Sequence, residues 1–218
     1  MPAPEITFRL ETPADYRAVE ALTRDAFFNQ YQPGCDEHYL AHVLRDAPAF
    51  VPQLDFVAEG SGQLVGNIMY TRARVLLDAG GELQVLSFGP LSVLPAFQGQ
   101  GVGSRLVRHT QEQARALGFC AILIYGDPAF YGRVGFAPAE TYGIATPQNE
   151  YRAALQACEL TPGALANAAG RFVEAEAYQI DPAAASAFDR AFPPRPLETD
   201  NAVQRRFHEV LAMVRPRA

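Results

Sequence analysis

The chain has 218 residues, 49% apolar and 19% charged, enough to bury one sizeable core with elaborations. Its formal net charge of −6 (24 Asp+Glu against 18 Lys+Arg) comes with no basic stripe, which argues against a nucleic-acid partner. No window approaches the roughly 18 uncharged apolar residues of a membrane span. The N-terminal residues lack an apolar signal core, and Cys35, Cys120 and Cys158 have neither metal-site nor disulfide spacing, so a cytoplasmic protein is expected.

Ile6, Phe8 and Leu10 alternate with polar residues, the period of a half-buried strand. Thr12-Pro13 predicts a helix start, with threonine as cap, proline at the first position, and Tyr16, Val19, Leu22, Ala26 and Phe27 as the apolar face. Pro33-Gly34 breaks the chain, and Asp36 is placed to cap a second helix running through Arg45. Residues 54–59 and 64–77 read as strands around Gly62-Gln63, and Asp78-Ala79-Gly80-Gly81 as a hairpin turn returning the chain through Glu82 to Val93. Pro95 stops the apolar run from Leu86 to Leu94. A small-residue loop then enters a helix over Val102 to Leu117, closed by Gly118. Phe119 to Tyr125 is another buried strand, in which Cys120 fits as a small hydrophobe.

A helix that begins on such a loop points unpaired N–H groups and the positive end of its dipole at whatever lies over it. Glycines at 99, 101 and 103 let an anion approach the backbone, so strand, loop and helix form a cradle for a phosphate or pyrophosphate. A Walker loop needs Gly-Lys-Ser/Thr, and no lysine stands near Gly103-Ser104. The dinucleotide fingerprint is closer, with Gly99-x-Gly101-x-x-Ser104 and Asp127 past the next strand. It belongs with repeated strand–helix–strand units, however, and only one is visible. A turn without a ligand is the remaining reading.

Gln98-x-x-Gly101-x-Gly103, followed in order by Tyr131-x-x-x-Gly135-Phe136, resembles the GCN5-related N-acetyltransferase (GNAT) superfamily, in its branch of predicted small-molecule acetyltransferases. The resemblance covers residues 5–140 and extends more loosely to about residue 192. It implies an α/β (α+β) fold: a mixed, mostly antiparallel central sheet, helices on both faces, and splayed strands ending at Val93 and Tyr125 that form the acetyl-CoA cleft. It implies that Gln98, Gly99, Gln100, Gly101, Val102, Gly103 and Ser104 hold the pyrophosphate and that the pantetheine arm pairs with backbone near Leu91 and Val93. The Val93 N–H would then polarise the thioester carbonyl, as an oxyanion-hole donor does. Pro90 suits a bulge or edge there.

The resemblance further implies acetyl-CoA as cosubstrate, no metal, and direct attack by a primary amine of a small molecule or peptide in a ternary complex. Tyr131 is the candidate acid for the departing CoA thiolate; a tyrosine packed on the sheet edge is the alternative. Many relatives carry a glutamate on the strand before the loop, but the equivalent position here is Ser87, which cannot act as a base. Asp36, Glu37, Glu82 and Asp127 are only carboxylates near the right elements, and Asp127 reads as the cap of a short helix. His38, His42, His109 and His208 have no identifiable partner, and no base is assigned. The missing carboxylate keeps open a non-catalytic acyl-CoA-binding sensor or interaction module on the same fold; a dinucleotide-dependent oxidoreductase is the third class.

Residues 1–192 are expected to form the acetyltransferase domain, with its core at 5–140 and elaborations at 141–192. The elaborations are strands at Ala154–Leu160 and Arg171–Tyr178 around Thr161-Pro162-Gly163, then a helix from Asp181-Pro182 ending before Pro193-Pro194. Pro193 to Pro196 reads as a linker within 193–218. Glu198 to Val214 has helical spacing, with Val203, Phe207, Val210, Leu211 and Val214 on one side. That helix packs on its own domain or, alternatively, builds a homodimer. Phe28, Tyr31 and Tyr39, between Phe27 and His42, make the acceptor rim aromatic, and the same residues fit a core.

Overall fold

Apolar strand-length runs joined by tight glycine turns generate an antiparallel meander in the middle of the chain. β2 (Phe56–Gly60), β3 (Gln63–Leu77) and β4 (Glu82–Val93) pair in succession, with β1 (Ile6–Leu10) outside β2. From β4 the chain crosses through α3 (Val102–Ala116) and returns as β5 (Ala121–Tyr125), parallel to β4. β9 (Leu155–Glu159) and β6 (Ala137–Pro138) follow, so the sheet is mixed and mostly antiparallel. β10 (Gly170–Val173) pairs with the C-terminal end of β3 and with β7 (Ile144–Ala145), curling the sheet over one face. The computed structural model describes residues 5–217.

Successive side chains of a strand point to opposite faces, and the two faces are covered differently. Ile68, Tyr70, Leu86, Phe88, Ile122 and Ile124 share a core with Leu106, Val107 and Ala114 of α3. On the other face Val75, Val85, Leu123 and Phe172 form a second core beneath β7 and β10. α1 (Tyr16–Phe27) covers the far end of that face, where Thr23 Oγ1 donates to Asn67 Oδ1 (3.2 Å) and accepts from Ser92 Oγ (3.1 Å). Ala41 and Leu44 of α2 (Glu37–Leu44) pack there against Met69. Helices therefore lie on both faces. Among the described residues no helix is long and apolar enough to cross a membrane.

Several local expectations are corrected. α1 begins at Tyr16, not at Thr12-Pro13, because Thr12 donates from N (2.9 Å) and Oγ1 (2.7 Å) to Asp15 Oδ2. Asp15 also takes two bonds from the Arg9 guanidinium (2.7 and 2.9 Å), which holds its carboxyl below the usual carboxylate range. Leu54 closes a 3-10 turn ahead of β2, and Cys120 is half-buried just before β5. The extended run from Arg171 stops at Val173, and Glu176–Tyr178 is a 3-10 turn. β9 pairs with β5, whereas β10 pairs with β3. α5 (Pro182–Asp189) begins at Asp181-Pro182 as expected, with Asp181 accepting from Ala183 N as its cap.

The last helix, α6 (Ala202–Ala212), starts from an Asn201–Gln204 capping box and ends before Val214. Val214 lies instead in β11 (Val214–Pro216), paired with β8 (Glu150–Arg152). α6 packs on its own chain. Asn201 Nδ2 and Gln204 Nε2 both donate to Asn29 O (2.7 and 3.1 Å), and Phe207 stacks on Tyr31 with ring centroids 4.4 Å apart.

Candidate functional site

β4 and β5 register at a single pair, Leu86 with Ile122, and beyond it they splay. Ile68 faces Leu91 while Tyr70 faces Phe88, so Gly89 and Pro90 together oppose Met69 in a β-bulge that bends β4 at the mouth of the gap. Leu94 N–H donates to Val65 O (2.9 Å), which keeps the end of β4 on β3. Backbone groups of alternate residues face opposite edges of a strand, so Leu91 and Val93 turn theirs toward the gap.

The loop after β4 is braced from within. Gln98 Nε2 donates to Val93 O (2.9 Å) and Gln100 Nε2 to Ala96 O (2.8 Å), so both side chains hold the loop's own backbone. Gly99 (φ 72°) and Gly101 (φ 80°) adopt left-handed conformations, and a Cβ on either would meet nothing within 4 Å. Gly103 sits in the first turn of α3 beside Val93 and Phe130. No side chain caps α3, no acidic residue stands in its first turn, and Arg105 is the first helical residue whose N–H reaches a backbone partner, Gly101 O at 3.0 Å. The N–H groups of Val102, Gly103 and Ser104 therefore open on a helix mouth of positive polarity, which fits an anionic group.

Tyr131 stands across the gap on α4 (Pro128–Tyr131), whose cap, Asp127, accepts from Ala129 N (2.8 Å) as expected. Its ring packs among Phe130, Phe136 and Phe88, with centroids 4.9, 5.5 and 5.8 Å away. Gly126 lies directly beneath it: a Cβ there would be 2.1 Å from Tyr131 Cε2. Burial, reinforced by the neighbouring phenols of Tyr31 and Tyr178, pushes the Tyr131 hydroxyl well above the usual phenol range. At neutral pH it is a proton donor.

Of the sequence-level carboxylates, Glu82 lies at the far end of the β3–β4 hairpin, 3.6 Å from Arg74. Asp127 sits 3.5 Å from Arg206, and Asp36 accepts from Gln32 Nε2 (2.9 Å). Glu37 is half-buried, which pushes its carboxyl up to about 7 although it accepts from Asp36 N (3.1 Å).

Three histidines have partners after all. His42 Nδ1 lies 2.9 Å from Glu20, and His109 packs against Phe8 and Phe56. His38 lies between Cys35 Sγ (3.5 Å from Nδ1) and Asp189 Oδ1 (3.1 Å from Nε2). That alignment copies a nucleophilic triad in outline only. Burial pushes the Cys35 thiol far up and the His38 imidazole down, so both stay neutral, and Arg24 takes the Asp189 carboxylate at 2.6 Å. The cluster ties α1, α2 and α5 together. Phe28 is buried under the Arg24 and Arg195 guanidiniums, whereas Tyr31 remains at the rim beneath Phe207.

Two residues near the gap escaped sequence reading. Tyr178 donates its hydroxyl to Gly89 O (3.3 Å) at the bulge, and Glu174 lies four residues before it. Neither carries a local signal; both arrive through the pairing of β10 with β3.

Comparison with known proteins follows the same lines. Residues 54–138 match the family model described as "Acetyltransferase (GNAT) domain". The chain is 32% identical over 133 residues to the uncharacterized N-acetyltransferase YjhQ of Escherichia coli, an alignment covering 61% of this chain and 70% of YjhQ. Among solved structures it resembles the E. coli GNAT family N-acetyltransferase YhbS in complex with CoA, at 28% identity and a TM-score of 0.72, over 83% of this chain and 95% of that one. A GNAT family acetyltransferase from Brucella melitensis in complex with acetyl-CoA gives 28% identity and a TM-score of 0.61, over 80% and 98%.

Proposed function

The chain belongs to the GNAT family, and from that premise we propose that it is an acetyl-CoA-dependent N-acetyltransferase acting on a primary amine. The observation that carries this reading is the uncapped mouth of α3 opening beside the splayed strands, with the protonated Tyr131 phenol across the gap. CoA and acetyl-CoA are the ligands of the two solved neighbours, which supports the same assignment.

In this reading the N–H groups of Val102, Gly103 and Ser104 hold the pyrophosphate, and Gly99 and Gly101 leave it room. The gap-facing backbone of Leu91 and Val93 lines the pantetheine arm, with the Val93 N–H placed to stabilise charge developing on the thioester oxygen. Tyr131 hydrogen-bonds the departing sulfur. A phenol held above the usual range does not release its proton unaided to a thiol of pKa about 8.5. It gives the proton to sulfur as it recovers one from the newly acylated nitrogen.

Calorimetric titration with CoA, acetyl-CoA and NAD tests the assignment. Micromolar acetyl-CoA affinity is expected and should vanish in Gly101→Val, whose side chain opposes the left-handed backbone. Tyr131→Phe should keep that affinity and turn over more slowly, by up to about 10²–10⁴-fold. Absent CoA binding defeats the proposal. Ser87 in place of a carboxylate favours a second reading, an acyl-CoA-binding module without turnover; tight binding with no transfer to any amine of a broad panel would select it.

A further inference from the structure

Amine acetylation releases a proton that the residues assigned so far do not take, and the curled face of the sheet offers a group for it. Phe172 of β10 is fully buried under the curl, its ring 6.0 Å from that of Tyr125 at the end of β5. Glu174 follows two residues later, half-buried just past the end of β10, where the register of Phe172 with Val75 and Val173 with Arg74 leads toward Ala73 and Thr71 of β3. The Glu176–Tyr178 turn then lays the Tyr178 ring over Gly89, where a Cβ would lie 3.6 Å from Cε1. Thr71 and Ser87 are registered across β3 and β4 beside that phenol; both are buried, and neither Thr71 Oγ1 nor Ser87 Oγ has a hydrogen-bond partner of good geometry. The Tyr178 phenol is in turn within electrostatic reach of Tyr131. Two buried hydroxyls and the Tyr178 phenol thus gather beside the bulge where the strands part, with the Glu174 carboxylate within electrostatic reach of Tyr178.

We propose, resting on the acetyltransferase reading, that Glu174 is the general base for the acceptor amine, in place of the carboxylate that position 87 lacks. Ser87, Thr71 and Tyr178 form the polar floor on which the ammonium group is received. Glu174 takes one proton from R–NH3⁺, leaving R–NH2. The nitrogen lone pair forms the C–N bond as the carbonyl electrons move to oxygen. The C–S bond then breaks, sulfur takes the Tyr131 proton, and Tyr131 recovers one from nitrogen. The products are amide, CoA thiol and protonated Glu174, which returns its proton to solvent.

The surroundings suit that role. Burial pushes the Glu174 carboxyl up to about 7, and among the described residues no cation is paired with it. The Glu174 charge helps to raise the phenols of Tyr178 and Tyr125, in both of which burial is the larger cause. Arg152 of β8, which acts on Tyr125, is engaged by Glu150 at 2.9 Å. β3 and β4 contribute the paired hydroxyls of Thr71 and Ser87.

Two probe acceptors test the assignment: tyramine, protonated at neutral pH, and p-toluidine, neutral there. Glu174→Gln should lower kcat/KM for tyramine by about 10²–10⁴-fold, spare p-toluidine within a few-fold, and leave acetyl-CoA affinity unchanged. The acid limb near pH 7 in the wild-type tyramine profile should disappear, and Glu174→Asp should restore part of the rate. Equal slowing of both amines, or survival of the limb in Glu174→Gln, overturns the proposal. An acceptor-free measurement stands beside it: NMR titration of the Glu174 carboxyl in the CoA complex, identified by its loss in Glu174→Gln. A value near the ordinary 4.3 overturns the proposal as well. Failure of the acetyltransferase reading looks different, because wild-type protein would then bind no CoA.

Discussion

Replacing Gly126 by alanine moves Tyr131 without touching its chemistry. The backbone at 126 is not in the left-handed region, so alanine itself is tolerated there. The new Cβ, however, would stand 2.1 Å from Tyr131 Cε2, and ordinary contact begins at 3.4 Å, so the ring must retreat by about 1.3 Å. Phe88, Phe130 and Phe136 close around that ring, so the retreat costs about 1–3 kcal/mol of packing. A displacement of about 1 Å at a reacting group costs on the order of 10²-fold in rate. Gly126→Ala should therefore fold with a lowered Tm, bind acetyl-CoA with near wild-type affinity by calorimetry, and show kcat reduced about 100-fold in a thiol-release assay. The effect should be absent in a Tyr131→Phe background, where the hydroxyl is already gone. Wild-type kcat in Gly126→Ala, alongside the expected fall in Tm, would refute the claim that the Tyr131 hydroxyl acts at the thioester.

Three further outcomes follow from buried charge and from α6. Burial beside Glu11 pushes the Asp55 carboxyl up to about 9, so the native state keeps a proton that the unfolded chain releases near pH 4. Stability should fall as pH rises between those values; urea unfolding at pH 5 and pH 8.5 should show that fall in wild type and a smaller one in Asp55→Asn. Arg45 lies 2.7 Å from Glu11 and 3.3 Å from Glu20, all with side chains under a tenth exposed, so Arg45→Met should cost about 3–5 kcal/mol by denaturant titration. Phe207→Ala removes a stacked pair worth about 0.5–1.5 kcal/mol and should raise hydrogen exchange across residues 202–212 while leaving acetyl-CoA affinity unchanged.

What the sequence disclosed follows from how local each signal is. The Gly80-Gly81 hairpin, the glycine loop into α3 and the Asp127 cap all express backbone chemistry set by a few adjacent residues, and all stand where they were expected. α1 starts later than the Thr12-Pro13 signal indicates because a side chain further along, Asp15, claims both Thr12 donors. α6 ends early because residues 214–216 are held extended by β8, a partner more than sixty positions upstream. Tyr178 and Glu174 were invisible for the same reason on a larger scale: nothing near them says that their strand lies against β3. Glu20 and Asp189, which give His42 and His38 their partners, also come from distant helices.

The pairing of β10 with β3 also has a consequence for synthesis. Gly170 sits so close to Leu76 that a Cβ would be 2.2 Å from its carbonyl oxygen, and Phe172 plugs the second core. At about 5–20 residues per second a ribosome needs roughly 5–20 s to go from Val75 to Phe172. Throughout that interval Val75, Val85 and Leu123 leave the exit tunnel with no roof over them. The segment that identifies the family, 54–138, thus emerges complete yet unable to bury one of its own faces. The newborn chain should engage holdase chaperones during that interval and release them once the strand that delivers Glu174 and Tyr178 has docked.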